Sequence, residues 1–328
     1  MRAVYYERTG PAREVLERGD LPTPTPAAGE VRVKLATSGV NPSDVKSRAG
    51  LRSTVLAFPR IVPHSDGAGV IDAVGDGVPA ERIGERVWTW NAAWKRAFGT
   101  AAQFVTLPAE QAVRLSANVS FDAGACLGIP ALTALHAVRM DGGVAGKDVL
   151  IAGGAGAVGH YAIQMARLLG AQRVLATVSN AHKAALARQA GADLVLDYRS
   201  DDVIAHVREA TAGVGVDRVV EVDFAANVAT DLGVVKPEGD IVVYGSGKPE
   251  IAVPFFPAAV NNLRLRFFIV YNLTPLDRAT AVGQLSEWLQ NDRLQHNIAA
   301  RLPLDAIVQA HELVESGRAI GNVVVEVE

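Results

Sequence analysis

Two hydrophobic rhythms divide the chain. Up to about residue 120, apolar positions come in short runs broken by turn residues. Val31–Leu35 alternates apolar with charged positions, Gly67–Val74 is an apolar run carrying glycines, and Arg86–Trp90 and Ala102–Leu107 have the composition of further strands. Pro22, Pro24 and Pro26 exclude a helix there and predict an extended edge segment. From Ala123 to about Leu273, strand-length apolar runs alternate with helix-period segments, the signature of a parallel sheet covered by helices. The predicted strands are Asp148–Ala152, Arg173–Val178, Leu194–Asp197, Val216–Val222, Asp240–Tyr244 and Leu263–Val270. Helices are predicted to start near Ala157, Asn180, Asp201, Ala225 and Pro257. Such a set matches a complete dinucleotide-binding sheet. A further helix is expected over Pro275–Gln290, then an alternating strand at Asn322–Glu328. The tail is too short for a domain, so it is expected to pack back on the first unit. The expected division is 1–122 with 292–328, and 123–291.

Charge and composition narrow the function classes. The 328 residues suffice for about two domains. Basic and acidic residues number 32 and 35, well mixed, and no basic block stands out, so nucleic-acid and membrane-surface roles lack electrostatic support. No apolar run approaches the length of about 18 residues that spans a bilayer. Met1–Glu7 lacks the apolar core of a secretory signal. Cys126 is the only cysteine, so an internal disulfide is impossible and a cytoplasmic location is expected.

The strongest local signal is the glycine-rich turn after Asp148–Ala152. Gly154, Gly156 and Gly159 satisfy G-x-G-x-x-G, with Ala155, Ala157 and Val158 between them. An apolar strand precedes the motif, and Val158, Tyr161, Ala162, Met165, Leu168 and Leu169 fall on one helical face after it. Gly154 is expected to permit the strand-to-helix turn, Gly156 to let the backbone approach a pyrophosphate, and Gly159 to let helix and strand pack closely. Amides at the helix start then face the diphosphate.

The second strand points to NADPH. An NAD site usually places Asp or Glu near that strand's end, to accept from the ribose 2′-hydroxyl. No acid occurs between Arg173 and Lys183. Ser179, Asn180 and Lys183 instead offer donors and one cation to a 2′-phosphate. Asn180 also suits a helix N-cap, and Lys183 a solvated helix position.

Several short segments then carry a resemblance. They are Gly39–Asp44 (Gly-Val-Asn-Pro-Ser-Asp), Pro63–Gly69 (Pro-His-Ser-Asp-Gly-Ala-Gly), Gly84–Val87, Gly128–Thr133 (Gly-Ile-Pro-Ala-Leu-Thr), the glycine turn, Asp197-Tyr198 and Val243–Ser246. Together they resemble the zinc-independent quinone oxidoreductase, or zeta-crystallin-like, branch of the medium-chain dehydrogenases/reductases. That resemblance implies an α/β protein: a Rossmann-type doubly wound parallel sheet plus a β-rich GroES-like N-terminal domain completed by the C-terminal tail. Zinc-dependent relatives bind catalytic zinc through a Cys, a His and a second Cys. Those columns hold Asn41, Ser65 and Ile129 here, so no metal is expected, and a four-cysteine structural site is impossible. His64 is read as a satisfied loop residue rather than a ligand, and Cys126 as a small buried apolar residue.

Without a Lewis acid, acceptors that take hydride readily fit better than alcohols. The expected reaction is hydride transfer from NADPH to a quinone. The resemblance implies that Asn41, Asp44 and Arg48 line the site near the nicotinamide; an Asn-Pro turn and a helix cap are the plain alternatives for the first two. Thr133 resembles a residue contacting the nicotinamide amide, and Tyr198 one packing near adenine or the 2′-phosphate. Gly245 and Ser246 end the fifth strand, where ligands approach such sheets. Tyr271 and Asn272 follow the sixth and are placed at the nicotinamide half. Lys46 departs from the family, where tyrosine is frequent. The alternatives are an alkenal or enone double-bond reductase and a non-enzymatic, crystallin-like NADPH-binding protein. Strand Leu263–Val270 is expected to pair across a homodimer axis.

Overall fold

The computed structural model describes residues 1–327. They form two units, Met1–Leu132 with the segment from Arg278 onward, and Thr133–Asp277. In chain order, the first unit supplies β1 (Arg2–Tyr5), β2 (Glu17–Asp20), β3 (Glu30–Val40), β4 (Asp66–Val74), β5 (Arg86–Thr89), β6 (Phe104–Pro108) and β7 (Ala112–Arg114). The second supplies β8 (Asp148–Ile151), β9 (Arg173–Val178), β10 (Leu194–Asp197), β11 (Val216–Glu221), β12 (Val235–Val243) and β13 (Arg264–Phe267). The tail returns β14 (Ile298–Pro303) and β15 (Asn322–Glu326) to the first unit.

In the first unit, β1 pairs with β2, and the main sheet runs β14-β15-β3-β4-β5-β7 with β6 also on β3. The alternation read in β3 is the pleat: Val31, Val33 and Leu35 face the core while Lys34 is exposed. β15 inserts parallel to β14 and antiparallel to β3, burying Val323, Val324 and Val325, so the tail completes this sheet. The β3–β4 register sets Gly39 opposite Asp66.

The second unit is a parallel sheet in the order β10-β9-β8-β11-β12-β13. Chain direction across the sheet reverses between β8 and β11, the switch point where ligands meet open α/β sheets. Leu150, Leu175, Val219 and Ile241 fill its core from successive strands.

Several expectations shift. The first unit extends to Leu132 because helix Phe121–Gly124 packs on β3 and β4. It regains the chain at Arg278 because helix Pro275–Gln290, where predicted, lays Arg278 over Trp90 and accepts Asn118 Nδ2 at Leu289 O. The apolar run Leu263–Val270 yields only the short edge strand β13 and then a 3-10 turn, Val270–Asn272. Helix Pro42–Arg48 is short and mostly polar and emerges only in the fold, while helix Ile307–Glu315 packs Ile307, Ala310, Leu313 and Val314 on the first unit's core. Among the described residues, no helix is long and apolar enough to cross a membrane.

Candidate active site

In the first unit, Asn41 begins helix Pro42–Arg48, directly after β3. Asp44 Oδ2 accepts the Asn41 N–H at 2.8 Å, a reciprocal turn that fixes the helix start. Asn41 Nδ2 donates to Asp66 Oδ2 at 2.9 Å, and the Ile129 N–H donates to the same oxygen at 3.0 Å. Asp66 Oδ1 is buried without a partner among the described residues. Two glycines make this approach possible. A Cβ at Gly128 would lie 2.3 Å from Asp66 Oδ1, and one at Gly39 would lie 2.1 Å from the Ala125 carbonyl.

Asn41, Asp44 and Asp66 are all buried, and burial governs their charge. It pushes Asp44 up to about 7, partly offset by the Asn41 hydrogen bonds and by Arg52. Burial and the neighbouring Asp44 push Asp66 well above the usual carboxylate range. The cluster thus stores protons on carboxyls near neutral pH.

Arg48 is placed elsewhere than at this cluster. Its fully buried guanidinium donates to Gly10 O at 2.5 Å and to Glu315 at 3.0 Å, tying the N-terminal segment to the last helix. His64 is a core residue: Nδ1 meets Ser38 Oγ at 2.8 Å and Nε2 meets His311 Nε2 at 2.9 Å. Ser65 is buried, its carbonyl accepting the Ala92 N–H. Cys126 donates to Asp122 O at 3.2 Å, and burial raises its thiol far above reactivity at neutral pH.

In the second unit the glycine turn follows β8. The left-handed backbone is at Gly153, φ 68°, rather than at Gly154 as the motif suggests. Gly154 serves packing: a Cβ would sit 2.7 Å from Ala176 Cβ. A Cβ at Gly159 would sit 2.2 Å from Gly153 O. At Gly156 the added atom would meet only Gly153 O, at 3.2 Å, so this position faces open space. β9 holds the turn, since the Gly154 N–H donates to Thr177 O at 2.9 Å and the Gly153 N–H to Thr177 Oγ1 at 3.3 Å. Buried Ala155 and half-buried Ala157 and Val158 lead into helix Gly159–Leu168, in whose first turn the His160 N–H donates to Gly156 O at 3.1 Å and the Ala162 N–H to Val158 O at 2.9 Å. The cradle fits a diphosphate.

At the end of β9, Lys183 Nζ donates to buried Ser179 Oγ at 3.0 Å. Asn180 takes its plain role, capping the helix by accepting the Lys183 N–H at 2.9 Å. Tyr198 is exposed, and its N–H donates to Val178 O, which sets it beside that strand end. Gly245, two residues past β12, is in close contact with the Val222 carbonyl, 2.1 Å from its would-be Cβ, and Ser246 Oγ donates to Lys248 O at 2.7 Å. Buried Tyr271 and exposed Asn272 lie in the 3-10 turn after β13. Thr133 is buried at the start of helix Leu132–Arg139. Two residues escape the motif. One is Gly153. The other is Val222, 39% exposed at the switch point, with Cγ1 3.3 Å from a Cβ built on Gly153. The strand-end rule alone pointed to Val222.

The chain matches the alcohol dehydrogenase GroES-like domain over residues 27–117 and the zinc-binding dehydrogenase domain over residues 157–288. It is 30% identical over 322 residues to the quinone oxidoreductase of Mus musculus, covering 97% of this chain and 95% of that one. A Burkholderia 2-haloacrylate reductase is 30% identical over 338 residues, covering 99% and 98%. This chain is a medium-chain dehydrogenase/reductase. A solved NAD-dependent alcohol dehydrogenase aligns with it at TM-score 0.92 and 31% identity, covering 100% of both chains. A mycobacterial structure in complex with NADPH gives TM-score 0.88 and 29% identity, covering 99% of this chain and 100% of that one. As a medium-chain dehydrogenase/reductase it is an oxidoreductase that uses a nicotinamide cofactor.

The zinc in one family name meets an unsuitable donor set in this medium-chain dehydrogenase/reductase. Of its three ligand columns, Asn41 and Ile129 turn to the Asp66 carboxyl, Ile129 through its backbone, and Ser65 is a hydroxyl. Among the described residues, no three His, Cys, Asp or Glu side chains form a metal-holding group.

Proposed function

We propose that the chain reduces quinones with NADPH by direct hydride transfer without a metal. The observation that carries this reading is the meeting of Asn41 and Ile129 on a buried carboxyl, where zinc-dependent relatives place ligands. The cofactor, held by the Gly153–Gly159 turn and Val222, supplies the hydride. Ser179, Lys183 and Tyr198 hold the 2′-phosphate end, and Gly245, Ser246, Thr133, Tyr271 and Asn272 the remainder. In the first unit, the Asn41 side chain donates to Asp66 and also hydrogen-bonds the Asp44 carboxyl, so it orients both acids beside the acceptor site. Asp44 Oδ2 accepts a backbone amide, so near pH 7 its proton resides on Oδ1.

The test is steady-state turnover after chelation, using NADPH or NADH with naphthoquinone, phenanthrenequinone and an alkenal. Chelator-resistant quinone turnover with NADPH favoured at least about tenfold, near 1.4 kcal/mol, supports the reading. A requirement for stoichiometric zinc, or no turnover with any quinone, overturns it. The 2-haloacrylate reductase relative favours a second reading, reduction of a conjugated double bond; alkenal turnover well above that of both quinones selects it.

We also propose a homodimer formed through β13. This edge strand pairs only with β12, and exposed Phe267, Phe255, Phe256 and Val260 lie on or just before it.

A further inference from the structure

The carboxyl end of β11 holds an acid pair that hydride transfer does not use. Glu221 ends β11 fully buried, and Asp231 faces it from helix Phe224–Val234 at 2% exposure. The two side chains are hydrogen-bonded to each other, which requires a proton between them. Glu221 Oε1 also accepts the Asp223 N–H and, at 3.0 Å, Asn227 Nδ2. Glu221 Oε2 and Asp231 Oδ2 are buried without partners among the described residues. The other titratable groups that interact with Glu221 are Asp223 and, just after β12, the buried Tyr244 phenol; neither is a cation. Burial raises both acids; Glu221 raises Asp231 further, while the hydrogen bond from Asp231 partly offsets the rise in Glu221.

These acids sit directly under the switch point. Asp223, whose N–H is held by Glu221, accepts the Gly247 N–H on Oδ1 at 2.7 Å. The Phe224 N–H donates to Gly245 O at 3.2 Å. Between these ties lies Val222, exposed beside Gly153 of the glycine turn. The acid pair therefore sets the backbone on which one wall of the dinucleotide cradle rests.

We propose that Glu221 and Asp231 are a positioning pair for the cofactor: their shared proton holds the Val222–Asp223 turn in its binding shape, and its loss in alkali weakens dinucleotide affinity. The inference rests on the second unit binding a nicotinamide dinucleotide. Asp231→Asn keeps a donor to Glu221 but has no proton to lose.

Dissociation constants for NADPH and NADH, read by nucleotide fluorescence from about pH 7.5 to about pH 10, provide the test. The wild type should weaken by at least about fivefold for both nucleotides across that range. Asp231→Asn should stay flat, and Asp231→Leu, which leaves Glu221 without its donor, should bind weakly throughout. A change at the 2′-phosphate end would weaken NADPH alone, so a loss confined to NADPH overturns the proposal. A flat wild-type profile, or wild-type behaviour in Asp231→Asn, does the same. The wild-type NADH profile decides even where a variant fails to fold. Absence of binding by either nucleotide at neutral pH defeats the cofactor reading itself, an outcome distinct from a flat profile.

Discussion

His64 and His311 meet Nε2 to Nε2 at 2.9 Å in the first unit, both rings fully buried. One nitrogen must donate and the other accept, so at least one of the rings is neutral. Burial pushes His64 down to about 3 and His311 well below its ordinary value. The unfolded chain therefore binds more protons than the folded one from about pH 3 to about pH 6.5, and this contribution to stability is lost as pH falls through that window. Asp44 and Asp66, raised by burial, act in the opposite sense, so the histidines must be isolated by difference. His64→Gln should cost about 2 to 3 kcal/mol at pH 7.5, and the gap to wild type should narrow below about pH 6.5. Urea midpoints across pH measure this; a constant gap means that the rings are not neutral in the fold.

The glycine turn separates binding from folding. Gly156→Ala meets one carbonyl in a tight contact that a shift of a few tenths of an ångström relieves, so melting should stay within about 3 °C of wild type. Dinucleotide affinity should fall at least about tenfold, because the methyl occupies the face that meets the diphosphate. Gly159→Ala drives a methyl into Gly153 O and should lose stability by about 2 kcal/mol or more. Calorimetric melting and nucleotide titration on the two variants check the contrast, and reversed ranks would refute it.

Lys183 stands at the 2′-phosphate end of the proposed cradle, held to Ser179. Lys183→Ala should raise the Michaelis constant for NADPH about tenfold and that for NADH less than about twofold. Equal changes would remove Lys183 from phosphate recognition.

Charge placed on the second unit's edge should dissociate the proposed dimer. Phe267→Asp puts a carboxylate on an edge strand where the side chain is 62% exposed, so the monomer fold survives. Sedimentation should shift from dimer to monomer at micromolar concentration. An unchanged dimer would place the interface elsewhere.

Residue order revealed most of the second unit because its strands are apolar runs of about the length the sheet uses, as at Arg173–Val178 and Leu194–Asp197. β2 (Glu-Arg-Gly-Asp) escaped because its residues are mostly exposed, and β14 because apolar Ala299 and Pro303 stand at its outward positions and blur in sequence an alternation that the fold does show. At the site, the residue types at 41 and 44 were legible, but their partner Asp66 was not. That contact depends on the β3–β4 register, which sets Gly39 against Asp66 across a long loop. Arg48 shows the converse: its partners Gly10 and Glu315 are far away in sequence, and no local pattern foretold them.

The packing around Asp66 makes the departure from zinc hard to reverse. Asn41→Cys, Ser65→His and Ile129→Cys together would restore the three ligand types, yet the carboxyl would still occupy the junction, gripping the amide of residue 129. Gly128 makes room for the other carboxyl oxygen, Oδ1, which fills the space that a Cβ there would take. Two new thiolates would also face a group that resists carrying charge of its own. A residue outside the ligand columns thus acts as a ratchet, and any redesign toward metal chemistry has to begin by evicting it.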